Sequence, residues 1–178
     1  EQDRAAAICD FCDTDFRGAD GDGGGRFHTA KALAAHVASR WLPESASESG
    51  TRPYVVCTGG EPALQLDAAL VDALHARGFE IAVETNGTVP VPAGVDWICV
   101  SPKADAPLAQ VSGDELKLVF PQPLARPERF ARLDFRYRFL QPKDGPDQVI
   151  HTADAIRYCM AHPCWRLGLQ THKVLGIR

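Results

Sequence analysis

Short apolar runs alternate with amphipathic segments along this chain from residue 29 onward, and this alternation restricts the fold more than any other feature. Apolar residues recur every four positions over 33–41, directly after Thr29, a residue type that caps helices. An apolar run at 54–57 predicts a strand, a second helical stripe follows and stops at Gly78, and a further strand is expected at 80–83. Strands that alternate with helices form parallel βα units, so the pattern predicts the α/β class with a mainly parallel sheet.

The second half of the chain continues the same alternation. Further strands are expected at 97–100, 115–120, 135–140 and 166–169, with helices near 127–133 and 152–162. The glycine-rich stretch 18–25 is expected to be a loop, because no strand leads into it. A chain of 178 residues that is 45% hydrophobic can bury one substantial core, so we expect a single domain over 1–178.

Polar segments come where four of the expected strands end. They are Thr58-Gly59-Gly60-Glu61, Glu84-Thr85-Asn86-Gly87, Ser101-Pro102-Lys103 and Gln141-Pro142-Lys143. Each segment alone could be only a turn between a strand and a helix. Ligands bind beyond the carboxyl ends of the strands in parallel α/β folds, so the four segments together predict one ligand site.

Charge and hydropathy limit the class of ligand. The formal net charge is −4, which gives no basic field for a nucleic-acid backbone, so small molecules are the expected ligands. No apolar run approaches the roughly 18 residues of a membrane span, and no segment resembles a signal peptide. We therefore expect a cytoplasmic protein without a membrane partner.

Two of the six cysteines form a close pair, Cys9 and Cys12, around Phe11. Thiolates two residues apart can bind one metal ion or two irons of one cluster. A structural zinc site normally needs a second close pair, which this chain lacks, and a thioredoxin-like pair needs a preceding strand. Zinc and redox chemistry remain weaker alternatives, including a non-catalytic module with a zinc site shared across a dimer.

The order and spacing of these motifs resemble the radical S-adenosylmethionine superfamily, and more narrowly the 7-carboxy-7-deazaguanine synthase family. The segments that carry the resemblance are Cys9–Asp13 with Thr14, Thr58–Pro62, Glu84–Gly87, Ser101–Lys103, Leu140–Pro142 and His172-Lys173. The resemblance implies a partial TIM-like βα barrel. It also implies a [4Fe–4S] cluster held by three cysteines, of which Cys9 and Cys12 are two. Because no cysteine precedes Cys9, we expect the third ligand upstream of Glu1, on an N-terminal segment with an additional strand that this chain lacks.

The resemblance also assigns roles in binding S-adenosylmethionine. Gly60 would lie against the methionine amino group and Glu84 would accept hydrogen bonds from the ribose hydroxyls. Phe11 would position the adenine. The remaining residues expected to contact this cofactor are Asp13, Ser101, Pro102, Lys103, Gln141 and Lys143, where Lys143 could equally be a solvated surface lysine.

The substrate implied by the resemblance is 6-carboxy-5,6,7,8-tetrahydropterin. A deoxyadenosyl radical would take its C6 hydrogen before ring contraction to 7-carboxy-7-deazaguanine with loss of ammonia. Thr14 would bind Mg²⁺ beside the substrate, with Asp13 and Asp15 as competing ligands, and Thr58 and His172 would contact the substrate. The family also implies a homodimer and an electron donor such as flavodoxin. The main alternative within the superfamily is a glycyl-radical activase, which would share the cluster, Gly60 and Glu84 but not the magnesium threonine.

Overall fold

The computed structural model of the chain describes residues 21, 23–41, 52–104 and 106–176. These residues belong to two compact units. The first unit lies within Glu1–Thr85 and Val89–Ile98, and the second within Asn86–Thr88 and Cys99–Arg178. The expectation of a single domain over 1–178 stays a prediction.

The first unit is a βα arrangement with two helices and two paired strands. Its elements are helix α1 (Ala30–Arg40), strand β1 (Tyr54–Cys57), a 3₁₀ helix (Pro62–Leu64), helix α2 (Ala68–His75) and strand β2 (Glu80–Thr85). Thr29 caps α1 as the sequence predicts, because its Oγ1 accepts a hydrogen bond from Ala32 N at 3.1 Å. Strands β1 and β2 are parallel, with Tyr54 opposite Glu80.

Helices α1 and α2 pack together over an apolar cluster that includes the inner face of β2. Its buried members are Ala34, Leu66, Val71, Leu74, Phe79, Ile81 and Val83. Ile81 and Val83 are fully buried, and burying one such side chain contributes about 1.5–3 kcal/mol. The cluster therefore fixes the carboxyl end of β2, where Glu84 and Thr85 lie.

The second unit contains the remaining strands and helices. They are strands β3 (Trp97–Val100, of which the last two residues belong to this unit), β4 (Ser112–Phe120), β5 (Asp134–Pro142) and β6 (Arg166–Leu167), a 3₁₀ helix (Pro127–Arg129), and helices α3 (Gln148–Ala161) and α4 (Thr171–Leu175). Neighbouring strands pair in parallel from β3 to β6. Helix α3 packs on β5 and β6, and Leu116, Leu118 and Leu140 are fully buried.

The parallel pairing and the α/β class agree with the sequence prediction, but several element bounds differ. Strand β5 continues to Pro142, because its backbone stays in register with β4 as far as Phe120 opposite Pro142. Over 127–133 the chain forms only a short 3₁₀ helix, which has no side-chain cap at Arg126. Helix α4 was not predicted. No helix in the described part of the chain is long and apolar enough to cross a lipid bilayer.

Candidate active site

The carboxyl end of β1 continues into an exposed glycine turn in the first unit. Thr58 and Gly60 are both exposed. Gly59 and Gly60 have φ angles of 81° and 54°, which are left-handed values that a residue with a side chain rarely adopts. The turn thus presents backbone to solvent beside Thr58, where the sequence predicts ligand binding.

A side-chain contact connects this turn to the end of β2. Glu61 Oε1 accepts a hydrogen bond from Thr85 Oγ1 at 2.6 Å and another from Ala63 N at 2.9 Å. Thr85 is only 2% exposed, whereas its neighbour Glu84 is exposed, as expected for consecutive residues on opposite faces of a strand. The Glu61–Thr85 contact therefore holds the glycine turn against the strand end that carries Glu84.

A cleft of about 390 Å³ adjoins Thr58 in the same unit. Its lining includes Cys57, Thr58 and Gly59 as well as Phe27 and Leu33. Burial raises the pKa of the Cys57 thiol, so the thiol is held in its protonated form at neutral pH. No sequence motif pointed to Phe27, because a single apolar residue beside a loop carries none, and Leu33 was predicted only as part of the apolar stripe of α1.

In the second unit, Ser101 and Lys103 contact each other in the turn after β3. Lys103 Nζ donates to Ser101 O at 2.7 Å and to Ser101 Oγ at 2.5 Å. Pro102 between them is buried. The turn therefore places an ammonium group beside a hydroxyl group, a pair suited to meeting one carboxylate.

The end of the Glu-Thr-Asn-Gly segment also lies in this unit and is held by its own contacts. Asn86 Oδ1 accepts a hydrogen bond from Thr88 N at 2.8 Å, which forms a local turn. Gly87 O accepts hydrogen bonds from Ala109 N at 2.8 Å and Gln110 N at 3.0 Å. Asn86 and Gly87 thus shape the backbone that follows Glu84.

Gln141, Lys143 and His172 occupy the region after β5. Gln141 is half-buried and pairs in register with Val119, and Lys143 N donates to Phe120 O at 2.7 Å. His172 is exposed on α4, next to a lysine that contacts the loop after β5: Lys173 Nζ lies 2.5 Å from Asp144 Oδ2. The structure gives these residues positions but does not test their predicted roles.

The expected ligands of the cluster and of Mg²⁺ lie outside the described residues. They are Cys9, Cys12 and Thr14, and the same holds for Phe11 and Asp13. Within the described ranges, no three His, Cys, Asp or Glu side chains group together as a metal site would require. The metal assignments therefore stay predictions.

Comparison with known proteins identifies the family. The chain is 63% identical over 177 residues to the 7-carboxy-7-deazaguanine synthase of Caulobacter vibrioides, and 59% identical over 177 residues to that of Bordetella pertussis. Each match covers 99% of this chain and 82% of the relative. The chain belongs to the 7-carboxy-7-deazaguanine synthase family. This membership confirms the resemblance inferred from the motifs.

A solved structure supports the same assignment. QueE from Escherichia coli is 29% identical, with a TM-score of 0.56 over 79% of this chain, and the chain spans 63% of that protein. The likeness confirms the α/β fold class and fits the expected partial TIM-like βα barrel of this synthase family. No family model matches the chain.

Proposed function

We propose that this chain catalyses the reaction of its family, the ring contraction of 6-carboxy-5,6,7,8-tetrahydropterin to 7-carboxy-7-deazaguanine with loss of ammonia. The observation that carries the proposal is the 63% identity to a 7-carboxy-7-deazaguanine synthase over 177 residues. The aligned region covers 99% of the chain and includes every segment of it that the sequence predicts to bind a ligand.

The donor groups at the strand ends fit S-adenosylmethionine in chemical type. The exposed Glu84 carboxylate can only accept hydrogen bonds when ionised, which suits ribose hydroxyls. Ser101 and Lys103 offer a hydroxyl and an ammonium group for the methionine carboxylate, and exposed Gly60 offers backbone for the amino group. When bound, the [4Fe–4S] cluster supplies the electron that cleaves S-adenosylmethionine.

The chain's own residues then orient the cofactor. The Glu61–Thr85 contact fixes the turn that carries Gly60, so little conformational entropy is lost when the methionine end binds. The Lys103 ammonium group, held at Ser101, neutralises the carboxylate charge. Gln141 and Lys143 contribute further polar contacts in this proposal.

The proposal extends to the substrate, the metal ion and the partners. Thr58 and His172 would bind the carboxylated pterin, and Thr14 would bind the Mg²⁺ that offsets its negative charge. The protein would act in the cytoplasm as a homodimer, with a reductant such as flavodoxin and without a nucleic-acid or membrane partner. Cys9 and Cys12 would be two of the three cluster ligands.

Product analysis tests the proposal directly. The natural full-length protein is reconstituted anaerobically with iron and sulfide, then incubated with reductant, S-adenosylmethionine, Mg²⁺ and the carboxytetrahydropterin. We expect 7-carboxy-7-deazaguanine and ammonia. Cleavage of S-adenosylmethionine without this product would place the chain elsewhere in the superfamily, and failure to assemble any iron–sulfur cluster would favour a non-catalytic metal-binding module.

A pair of variants on one strand tests the role of Glu84. Glu84→Gln keeps the shape of the side chain but removes its charge, and should weaken S-adenosylmethionine binding by about 1–3 kcal/mol. Glu80→Gln is the matched control, because Glu80 is also exposed on β2 and lies on the same face of the strand. Equal affinities in an equilibrium binding assay of the two variants would remove Glu84 from the site.

A further inference from the structure

The connection after β4 contains a buried amide side chain that no sequence motif indicates. Gln122 is 6% exposed. Its Nε2 donates to Val119 O at 2.8 Å and to Pro102 O at 3.5 Å, and its Oε1 accepts from Ala104 N at 3.1 Å. This single side chain therefore joins the end of β4 to the turn after β3.

The turn that Gln122 contacts is strained. Ala104 has a φ angle of 43°, a left-handed value that is unfavourable for a residue with a side chain. Side chains bind both backbone groups of Ala104: Gln122 accepts from its N–H, and Arg129 NH1 donates to its carbonyl oxygen at 3.3 Å. A strained residue persists where its surroundings hold it, and here Gln122 and Arg129 do so.

The same turn carries Ser101 and Lys103. Gln122 contacts the residues on both sides of Lys103, namely the carbonyl oxygen of Pro102 and the amide of Ala104. Lys103 in turn donates to both oxygens of Ser101. Gln122 therefore holds the backbone from which the Lys103 ammonium group extends, together with the local hydrogen bond from Ala106 N to Lys103 O at 3.0 Å.

We propose that Gln122 is a positioning residue for S-adenosylmethionine: it holds the turn after β3 in the strained conformation that presents Ser101 and Lys103 to the methionine carboxylate. This inference rests on the proposed function for its ligand. Arg129 assists from the carbonyl side of Ala104.

The first readout needs no cofactor. Gln122→Met keeps the length of the side chain and removes its hydrogen bonds, so the Ala104 amide should exchange its hydrogen about two- to tenfold faster, as measured by NMR. The control is Ala155→Gly, which places glycine at a fully buried position in α3 and destabilises the chain without touching this turn. Its Ala104 exchange rate, taken relative to that of the surrounding β4 amides, should equal that of the wild type.

The second readout connects the turn to the ligand. We expect Gln122→Met to raise the KM for S-adenosylmethionine by a similar two- to tenfold factor, with kcat at saturating cofactor nearly unchanged. A purely structural role would instead lower the amount of active enzyme and leave KM as it is. Unchanged KM, or unchanged Ala104 exchange, in an active Gln122→Met enzyme would overturn the inference.

A surface variant covers the case in which Gln122→Met does not fold. Arg129 is exposed, so Arg129→Gln should fold, and it should change Ala104 exchange and KM in the same direction by a smaller factor. An Arg129→Gln enzyme with wild-type values of both would then count against the inference. A wild-type protein that neither binds S-adenosylmethionine nor forms product would refute the proposed function itself. The Ala104 exchange rates need no cofactor, so they separate this outcome from a failure of the Gln122 inference.

Discussion

Gly87 should be hard to replace, for a reason that can be measured. Its φ angle is 80°, and a Cβ atom at this position would lie 2.5 Å from Leu108 Cδ1 and 2.7 Å from Val100 Cγ1. The left-handed backbone costs an alanine about 1–2 kcal/mol. The two close contacts add an overpacking cost of about 1–3 kcal/mol. Gly87→Ala should therefore lower the free energy of unfolding by about 2–5 kcal/mol.

Gly78 provides the matched control. Its φ angle is 81°, nearly equal to that of Gly87, but no heavy atom lies within 4 Å of its expected Cβ. Gly78→Ala should thus cost only the backbone part, about 1–2 kcal/mol. The difference between the two variants isolates the steric contact with Leu108 and Val100.

Urea denaturation at neutral pH, followed by far-ultraviolet circular dichroism, measures both costs from the shift in the transition midpoint at constant slope. We expect a clearly larger shift for Gly87→Ala than for Gly78→Ala. Equal shifts would show that Leu108 and Val100 move aside at no cost. A wild-type midpoint for Gly87→Ala would refute the backbone argument as well.

Two further predictions concern side-chain contacts in the first unit. Thr85→Val removes the hydroxyl that donates to Glu61, so it should cost about 1–2 kcal/mol of stability and weaken S-adenosylmethionine binding. Thr85→Ser keeps the hydroxyl and should bind S-adenosylmethionine as the wild type does. Equal binding by the two variants would contradict a role for this contact. Hydrogen bonds from His75 and from the Ile81 amide lower the pKa of Asp96. The stability that the ionised carboxylate contributes is therefore complete above the usual carboxyl pKa of about 3.9, and it is lost as the pH falls through the pKa of Asp96 in the folded protein. Asp96→Asn should accordingly be less stable than the wild type at pH 7, with the difference shrinking below about pH 4 in acid titrations; a constant difference would be inconsistent with this reasoning.

The bounds of a strand could be predicted where its apolar run ends at the same residue as its hydrogen-bonded pairing with the neighbouring strand. Strands 54–57 and 97–100 agree with the prediction to the residue. Strand β5 does not, because Gln141 and Pro142 are held by their pairing with β4, and hydropathy does not register backbone pairing between distant segments. The polar segments could be predicted because, in a parallel sheet, the sequence changes sharply from apolar to polar where a buried strand ends.

The supporting contacts could not be predicted, because they join residues that are far apart in sequence. Glu61 and Thr85 are separated by 24 positions, and Ala104 and Gln122 by 18. Gln122 stands between two prolines in Pro121-Gln122-Pro123, a pattern typical of an exposed turn. Only the fold shows that this amide is buried and that its hydrogen-bonding groups are used.

These contacts change how much the Glu-Thr-Asn-Gly segment says about function. Thr85 donates a hydrogen bond to Glu61, Asn86 accepts one from the Thr88 amide, and Gly87 lies close to Leu108. Folding alone thus accounts for three of the four residues, and the functional content of the segment rests on exposed Glu84. Because Glu84→Gln keeps the shape of an exposed side chain and removes its charge, it should weaken cofactor binding more than it lowers the free energy of unfolding. A large shift of the urea midpoint together with wild-type binding would mean that Glu84, too, is retained for folding.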